Sequence, residues 1–163
     1  RFLADHEGPV YFRQPKMYLR NVYDQVPEFR LGKGVVLREG KDVAVIACGI
    51  LAGIALDAAE ILEAEGISAR IINMPSLKPL DEELIRKAAK ETGAVITCEN
   101  HSVIGGLGSA VAEVLAEEGS SVRLTRMGLS DVFGVTASLA YQLEKNGLTK
   151  EAIAAEARLL LGK

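Results

Sequence analysis

Val95-Ile96-Thr97-Cys98-Glu99-Asn100-His101-Ser102-Val103-Ile104-Gly105-Gly106-Leu107-Gly108-Ser109-Ala110-Val111 reads as a buried strand, a polar elbow and a glycine-rich turn that opens a helix. The strand is too continuously apolar for a half-solvated antiparallel sheet, which would alternate apolar and polar residues. In parallel α/β sheets such an elbow leaves the carboxyl edge, where ligands and partners are usually met. One segment thus predicts a fold class and a place to look for function.

The same alternation continues outward. Apolar strands are predicted at 42–48, 67–73 and 122–127. Residues 51–65 place Leu51, Ile54, Ala55, Ala58, Ile61 and Leu62 on one helical face and Asp57, Glu60 and Glu63 on the other, with Gly66 as the stop. Asp81 is placed to cap Glu82–Glu91. A further helix at 107–118 aligns Leu107, Val111, Val114 and Leu115. Two helices follow, 138–146 ended by Gly147, and one behind Thr149 that buries Ile153, Ala157, Leu160 and Leu161. Strands and helices in this alternation predict a three-layer α/β/α domain. Val35–Arg38 and the 42–48 strand flank Glu39-Gly40-Lys41, a turn of hairpin length, so the first strand is expected to run antiparallel to its neighbour.

Upstream, Pro15, Pro27, Gly32 and Gly34 punctuate a stretch without periodicity, which reads as a linker. The chain opens on Arg1-Phe2-Leu3-Ala4-Asp5-His6, resembling the last turn of a helix. It then passes Gly8-Pro9 into an extended Val10-Tyr11-Phe12-Arg13. We read this as a fragment of a longer chain, or a subunit whose beginning is disordered, with upstream chemistry out of view.

Bulk properties narrow the function classes. The 163 residues are 48% apolar and 25% charged, ample for one core. No apolar run approaches the ~20 residues of a membrane span, and no signal peptide is visible. The net charge of −3 comes with scattered Lys and Arg, without the basic stripe of a nucleic-acid surface. Cys48 and Cys98 each end an apolar run and form no CxxC motif, as expected of buried reduced thiols in a cytoplasmic protein. With two histidines at no ligand spacing they make a poor zinc set.

Four phrases in order carry a family resemblance: Gly8-Pro-Val-Tyr-Phe-Arg13, Asn73-Met-Pro-Ser-Leu-Lys-Pro-Leu-Asp81, Glu99-Asn-His-Ser-Val-Ile-Gly-Gly-Leu-Gly-Ser109, and Asp131-Val-Phe-Gly134 with Asn146-Gly-Leu-Thr149. Over nearly its whole length the chain resembles the carboxyl-terminal section of a transketolase. More broadly, it is similar to the thiamine-diphosphate enzymes that include deoxyxylulose-phosphate synthases and 2-oxo-acid dehydrogenase β subunits. The resemblance implies a mixed five-stranded sheet of order 1-3-2-4-5 with strand 1 antiparallel. It implies that residues 1–16 end a pyrimidine-binding domain, 17–34 form a linker and 35–163 form the C-terminal domain.

For the complete enzyme it implies thiamine diphosphate and Mg2+, upstream domains or an N-terminal subunit as partners, and a homodimer or higher assembly. Its Gly-Asp-Gly…Asn diphosphate motif and activating glutamate have no counterpart here. The chain alone is therefore expected to bind no cofactor and to be inactive, with no catalytic residue and no metal site of its own. Its role would be architectural. The rival reading is a free-standing flavodoxin-like module with a ligand crevice at the sheet edge.

Candidate site residues are few. Arg13, at the end of its extended stretch, looks by resemblance like a substrate-phosphate arginine, and a guanidinium fork suits that task. A salt-bridged arginine at a domain junction is the other reading. His101 could move protons near neutrality or, as we favour, hydrogen-bond a backbone carbonyl at the elbow, since no partner nucleophile or paired carboxylate is identifiable. Glu99 is expected to brace the following turn. Gly105-Gly106-Leu107-Gly108 could offer N–H groups to an anion, but it lacks phosphate-loop spacing, and close helix–strand packing explains the glycines equally well. If strands 42–48 and 94–98 are neighbours, their loops face each other across a crevice. Gly49, Ile50 and Leu51 would line one side, and Asn100, His101 and Gly105 the other.

Overall fold

Val-Ala-Val-Ile-Ala at Val43–Ala47 is buried at every position, so both faces of this strand must be covered. In the computed structural model, which describes residues 2–15, 20–25 and 27–163, two layers of helices cover it. The elements in chain order are α1 (Phe2–Asp5), β1 (Val35–Arg38), β2 (Val43–Ala47), α2 (Leu51–Ala64), β3 (Ala69–Asn73), α3 (Glu82–Glu91), β4 (Ala94–Ser102), α4 (Leu107–Glu117), β5 (Arg123–Leu129), α5 (Leu139–Lys145) and α6 (Lys150–Leu161). The sheet order is β1-β3-β2-β4-β5, with β1 antiparallel to β3 and the other pairs parallel.

Side chains alternate across the sheet with period two. Val43, Val45, Ala47, Ile71 and Ile96 face α2 and α6, while Ala44, Ile46, Ile72 and Val95 face α3 and α4. Alanines 52, 55, 58 and 59 of α2 are small enough to bring that helix close to the strands. Helix ends follow their local chemistry. Asp81, Ser138 and Thr149 each accept a first-turn N–H, from Leu84, Tyr141 and Ala152. After α2, Ile67 N–H bonds the Leu62 carbonyl and Gly66 N–H that of Glu63, with Gly66 at φ +76°.

The hairpin expectation is corrected in one respect. β1 is antiparallel to its neighbour, but that neighbour is β3, not β2. The short turn does not fold β1 back onto β2; it steps across the start of β3. Both Lys41 and Asp42 donate N–H to the Ser68 carbonyl, and the Asp42 carboxylate accepts the Ser68 N–H at 2.7 Å. Gly40 rides on the β3 backbone, where a Cβ would lie 2.2 Å from the Ala69 carbonyl carbon. A turn of hairpin length constrains reach, whereas this contact decides which strand is met.

The segment before β1 hugs the domain. Residues 16–19 and 26, within the expected tail and linker, lie outside the described residues. Arg20 pairs with Asp57 of α2, Tyr23 accepts the Asn73 side-chain N–H at the end of β3, and Lys33 reaches Asp81 and Glu83. Val10–Arg13, expected to be extended, makes no ladder among the described residues, and Tyr11 is 90% exposed. No described helix is long and apolar enough to cross a membrane.

Candidate functional site at the carboxyl edge

Strands β2 and β4 pair in register from Ala44↔Val95 to Ala47↔Cys98, and Cys48 N–H continues the ladder to the Cys98 carbonyl at 3.2 Å. The two strands expected to flank the crevice are therefore hydrogen-bonded neighbours. One crossover, β2–α2–β3, goes to one side, and β4–α4–β5 goes to the other. This is the topological switch point of the sheet.

Beyond Cys98 the strand turns polar. Glu99 is 1% exposed and aims at the start of α4. Its two oxygens accept the N–H groups of Leu107 and Gly108, each at 2.8 Å. Gly106 precedes that helix without a side-chain cap of its own, so a strand carboxylate does the capping. The positive end of the helix favours a negative group there. Against the anion-loop alternative, three of the loop's four N–H groups are already engaged, those of Leu107 and Gly108 by Glu99 and that of Gly105 by Ser109 Oγ. The glycines serve close approach: a Cβ on Gly106 would lie 2.0 Å from Glu99 Oε2, and one on Gly108 would lie 2.8 Å from Thr97 Oγ1.

Around the mouth, Asn100 presents its carbonyl to Arg13, whose Nη2 donates at 3.1 Å. Its side-chain oxygen would lie 3.7 Å from a Cβ on Gly49, a residue held at φ +59°. Arg13, Asn100 and Gly49 are thus brought together. Ile50 is half-buried beside them, but Leu51 turns wholly into the core and does not line the opening. Gly105 sits at the exposed elbow tip with open space around it. His101 is exposed, with Nδ1 3.2 Å from the Ser102 carbonyl oxygen. Arg13 makes no ion pair among the described residues. The chain's own Arg13 is bonded to the Asn100 side of the crevice that a free-standing module would use. Two concave depressions of about 480 and 460 Å³ lie elsewhere, one between the carboxyl ends of α3 and α4 and one between α2 and the α5–α6 turn.

Below the mouth lie two thiols, neither in a disulfide. Burial, reinforced by the Glu99 charge, pushes the Cys48 thiol up to about 11, and the Arg13 charge pulls the other way. Burial pushes Cys98 up further, with smaller contributions from Cys48 and Glu99. The fold therefore holds the Cys48 proton above the ordinary value of 9.0. Its contribution to stability is complete below that value and falls as pH rises toward 11. Because the thiolate is the nucleophile, the native chain is expected to release no colour from a disulfide reagent at pH 8, and two thiols on unfolding in guanidinium. A rapid native-state titre would show that Cys48 is reachable.

The residue set does not fit thiamine diphosphate with its metal. Both Glu99 oxygens are already engaged by backbone donors, and no trio of His, Cys, Asp or Glu side chains converges among the described residues.

The family model for the transketolase C-terminal domain matches residues 32–153. The chain belongs to the transketolase C-terminal domain family. A Methanocaldococcus jannaschii protein, named provisionally as a transketolase C-terminal section, is 44% identical over 94% of this chain and 48% of its own length. A 1-deoxy-D-xylulose-5-phosphate synthase of Heliobacterium modesticaldum is 41% identical over 98% of this chain and 25% of its own length. Among solved structures, a split-gene transketolase described as an inactive β4 tetramer superposes with TM-score 0.92 at 49% identity. That match covers 98% of this chain and 52% of the other. The chain thus spans about half the length of the transketolase relatives and about a quarter of the synthase. The family's sheet, mixed and five-stranded with an antiparallel first strand, is the one described above.

Sequence reading expected Glu99 to brace the following turn and left the glycines open between an anion loop and close packing. In the structure Glu99 caps α4, and Gly106 and Gly108 lie close against Glu99 and Thr97. Sequence reading missed the Arg13–Asn100 contact and the docking of residues 20–23 onto α2 and β3. Pairings across tens of residues leave no periodic signal along the chain.

Proposed function

We propose that this chain is the C-terminal section of a split transketolase-type enzyme. It would supply domain packing and oligomer architecture to two-carbon ketol transfer between sugar phosphates. The observation that carries the reading is the match, over nearly the whole chain, to a split-gene transketolase at 49% identity. In this reading residues 1–16 close the pyrimidine-binding domain, 17–34 link and 35–163 form the C-terminal domain. Upstream domains or an N-terminal subunit complete the enzyme, which assembles as a homodimer or larger oligomer in the cytoplasm. Thiamine diphosphate and Mg2+ are held by those upstream parts and supply the carbanion chemistry. Arg13 binds the substrate phosphate through guanidinium N–H groups left free by Asn100. The mouth formed by Gly49, Ile50, Asn100 and His101 abuts the catalytic domains.

The test reconstitutes the complete enzyme with its upstream section, cofactor and metal, and measures ketol transfer. Activity should require both parts, and calorimetric titration of the cofactor into this chain alone should give no binding heat. A micromolar Kd for the chain alone would overturn the division of labour. In the complete enzyme, Arg13→Ala should raise KM for phosphorylated sugars about 10- to 100-fold relative to an unphosphorylated donor, since a charged hydrogen bond is worth ~1.5–3 kcal/mol. Similarity to the synthase supports a second reading, that the complete enzyme forms 1-deoxy-D-xylulose 5-phosphate. Detection of that product in place of ketol exchange would select it.

A further inference from the structure

We propose that Glu99 is a positioning residue for Arg13, acting through the carbonyl of Asn100. This rests on the reading of Arg13 as the residue that takes the substrate phosphate. Arg13 stands in an extended segment with no ladder partner among the described residues. Among the described residues, what orients its guanidinium is the bond from Nη2 to the Asn100 carbonyl. A guanidinium has five N–H donors in a fixed plane, so one bond of this kind sets the plane and leaves the fork's remaining donors for an oxyanion.

The carbonyl must itself be held. The β4–β5 ladder is regular up to Cys98↔Met127, then breaks its register and resumes only at Ser102↔Leu129. Residues 99–101 therefore lack the regular backbone pairing that fixes the rest of the strand. Glu99 replaces it by fastening the elbow to the first turn of α4 through both carboxylate oxygens. Its side chain is boxed on two sides. A Cβ on Gly106 would strike Oε2, and one on Gly128 would lie 3.1 Å from its Cγ. Ser109 adds a further fastening by accepting N–H bonds from Gly105 and Arg126 and donating to the Val103 carbonyl. A carboxylate buried under the sheet edge thus sets where a surface arginine points.

The experiment is a double-mutant cycle in the complete enzyme, reading the ratio of KM for a phosphorylated sugar to KM for an unphosphorylated donor. Glu99→Gln keeps the side chain's shape but sets an amide NH2 against one of the two backbone donors. It is expected to raise the ratio about 5-fold in the wild-type background and less than about 2-fold on top of Arg13→Ala, because residues in one network couple. Equal, multiplicative effects in both backgrounds would overturn the proposal and leave Glu99 as a brace of the fold alone. If Arg13→Ala itself leaves the ratio where it was, the phosphate reading of Arg13 fails, and the positioning role falls with it. Should Glu99→Gln not fold, Ser109→Ala loosens the same elbow from a half-buried position. It should move the ratio in the same direction by about 2-fold, and again only when Arg13 is present. No movement with that folded variant would equally overturn the proposal.

Discussion

Gly40→Ala is expected to lower the unfolding free energy by ~4 kcal/mol or more, a size seen only for overpacking and a few other mechanisms. The added methyl would sit 2.2 Å from the Ala69 carbonyl carbon, 2.3 Å from the Arg70 nitrogen and 2.6 Å from the Ala69 oxygen. These are backbone atoms of β3, and no rotamer change removes them. To make room, the turn would have to lift from β3, breaking the bonds of Lys41 and Asp42 to Ser68 and pulling β1 out of line. Gly66→Ala is the matched control. That site has φ +76° and open space, so only backbone strain of ~1–2 kcal/mol is expected. Urea unfolding followed by circular dichroism compares the two. A Gly40 variant no less stable than the Gly66 variant would mean that the turn does not cross β3 as described.

Glu99→Ala should have the next largest effect on folding. It strands the buried N–H groups of Leu107 and Gly108, each costing ~1–3 kcal/mol when unsatisfied. A total of ~2–5 kcal/mol is expected, since a cavity under the elbow admits some relaxation. Glu118→Ala is the comparison. That carboxylate pairs with Lys90 and Arg86 at the surface, where such pairs are worth ~1 kcal/mol or less. The same urea titration reads both. If the two variants unfold at the same midpoint and slope, the capping bonds of Glu99 contribute no more than an exposed ion pair.

Much of the fold was legible because it rests on short-range patterns. The largely apolar runs at 42–48 and 94–98 read as strands covered on both faces. The 3.6-residue stripe of α2 could only be a helix lying on them. Asp81, Ser138 and Thr149 could be read as helix starts because a cap bonds an N–H two or three residues on. The order of the strands entered through the family resemblance, since nothing local distinguishes β3 from β2 as the neighbour of β1. The hairpin-length turn at Glu39–Lys41 suggested β2, and the neighbour is β3.

The sequence by itself determined the layered α/β class and the polar character of the segment after Cys98. It also determined the bounds of the strands and helices from β1 onward to within a residue or two, except at β4, which runs on to Ser102. These follow from side-chain periodicity, capping and turn chemistry, which act over a few residues and are written in the chain order. Tertiary structure alone decided that Gly40 rides over β3, that Glu99 caps α4 from a strand, that Leu51 belongs to the core, and that Arg13 meets Asn100 across 87 residues. Each depends on which backbone lies against which, and that is settled only when the sheet order and helix packing close the chain on itself.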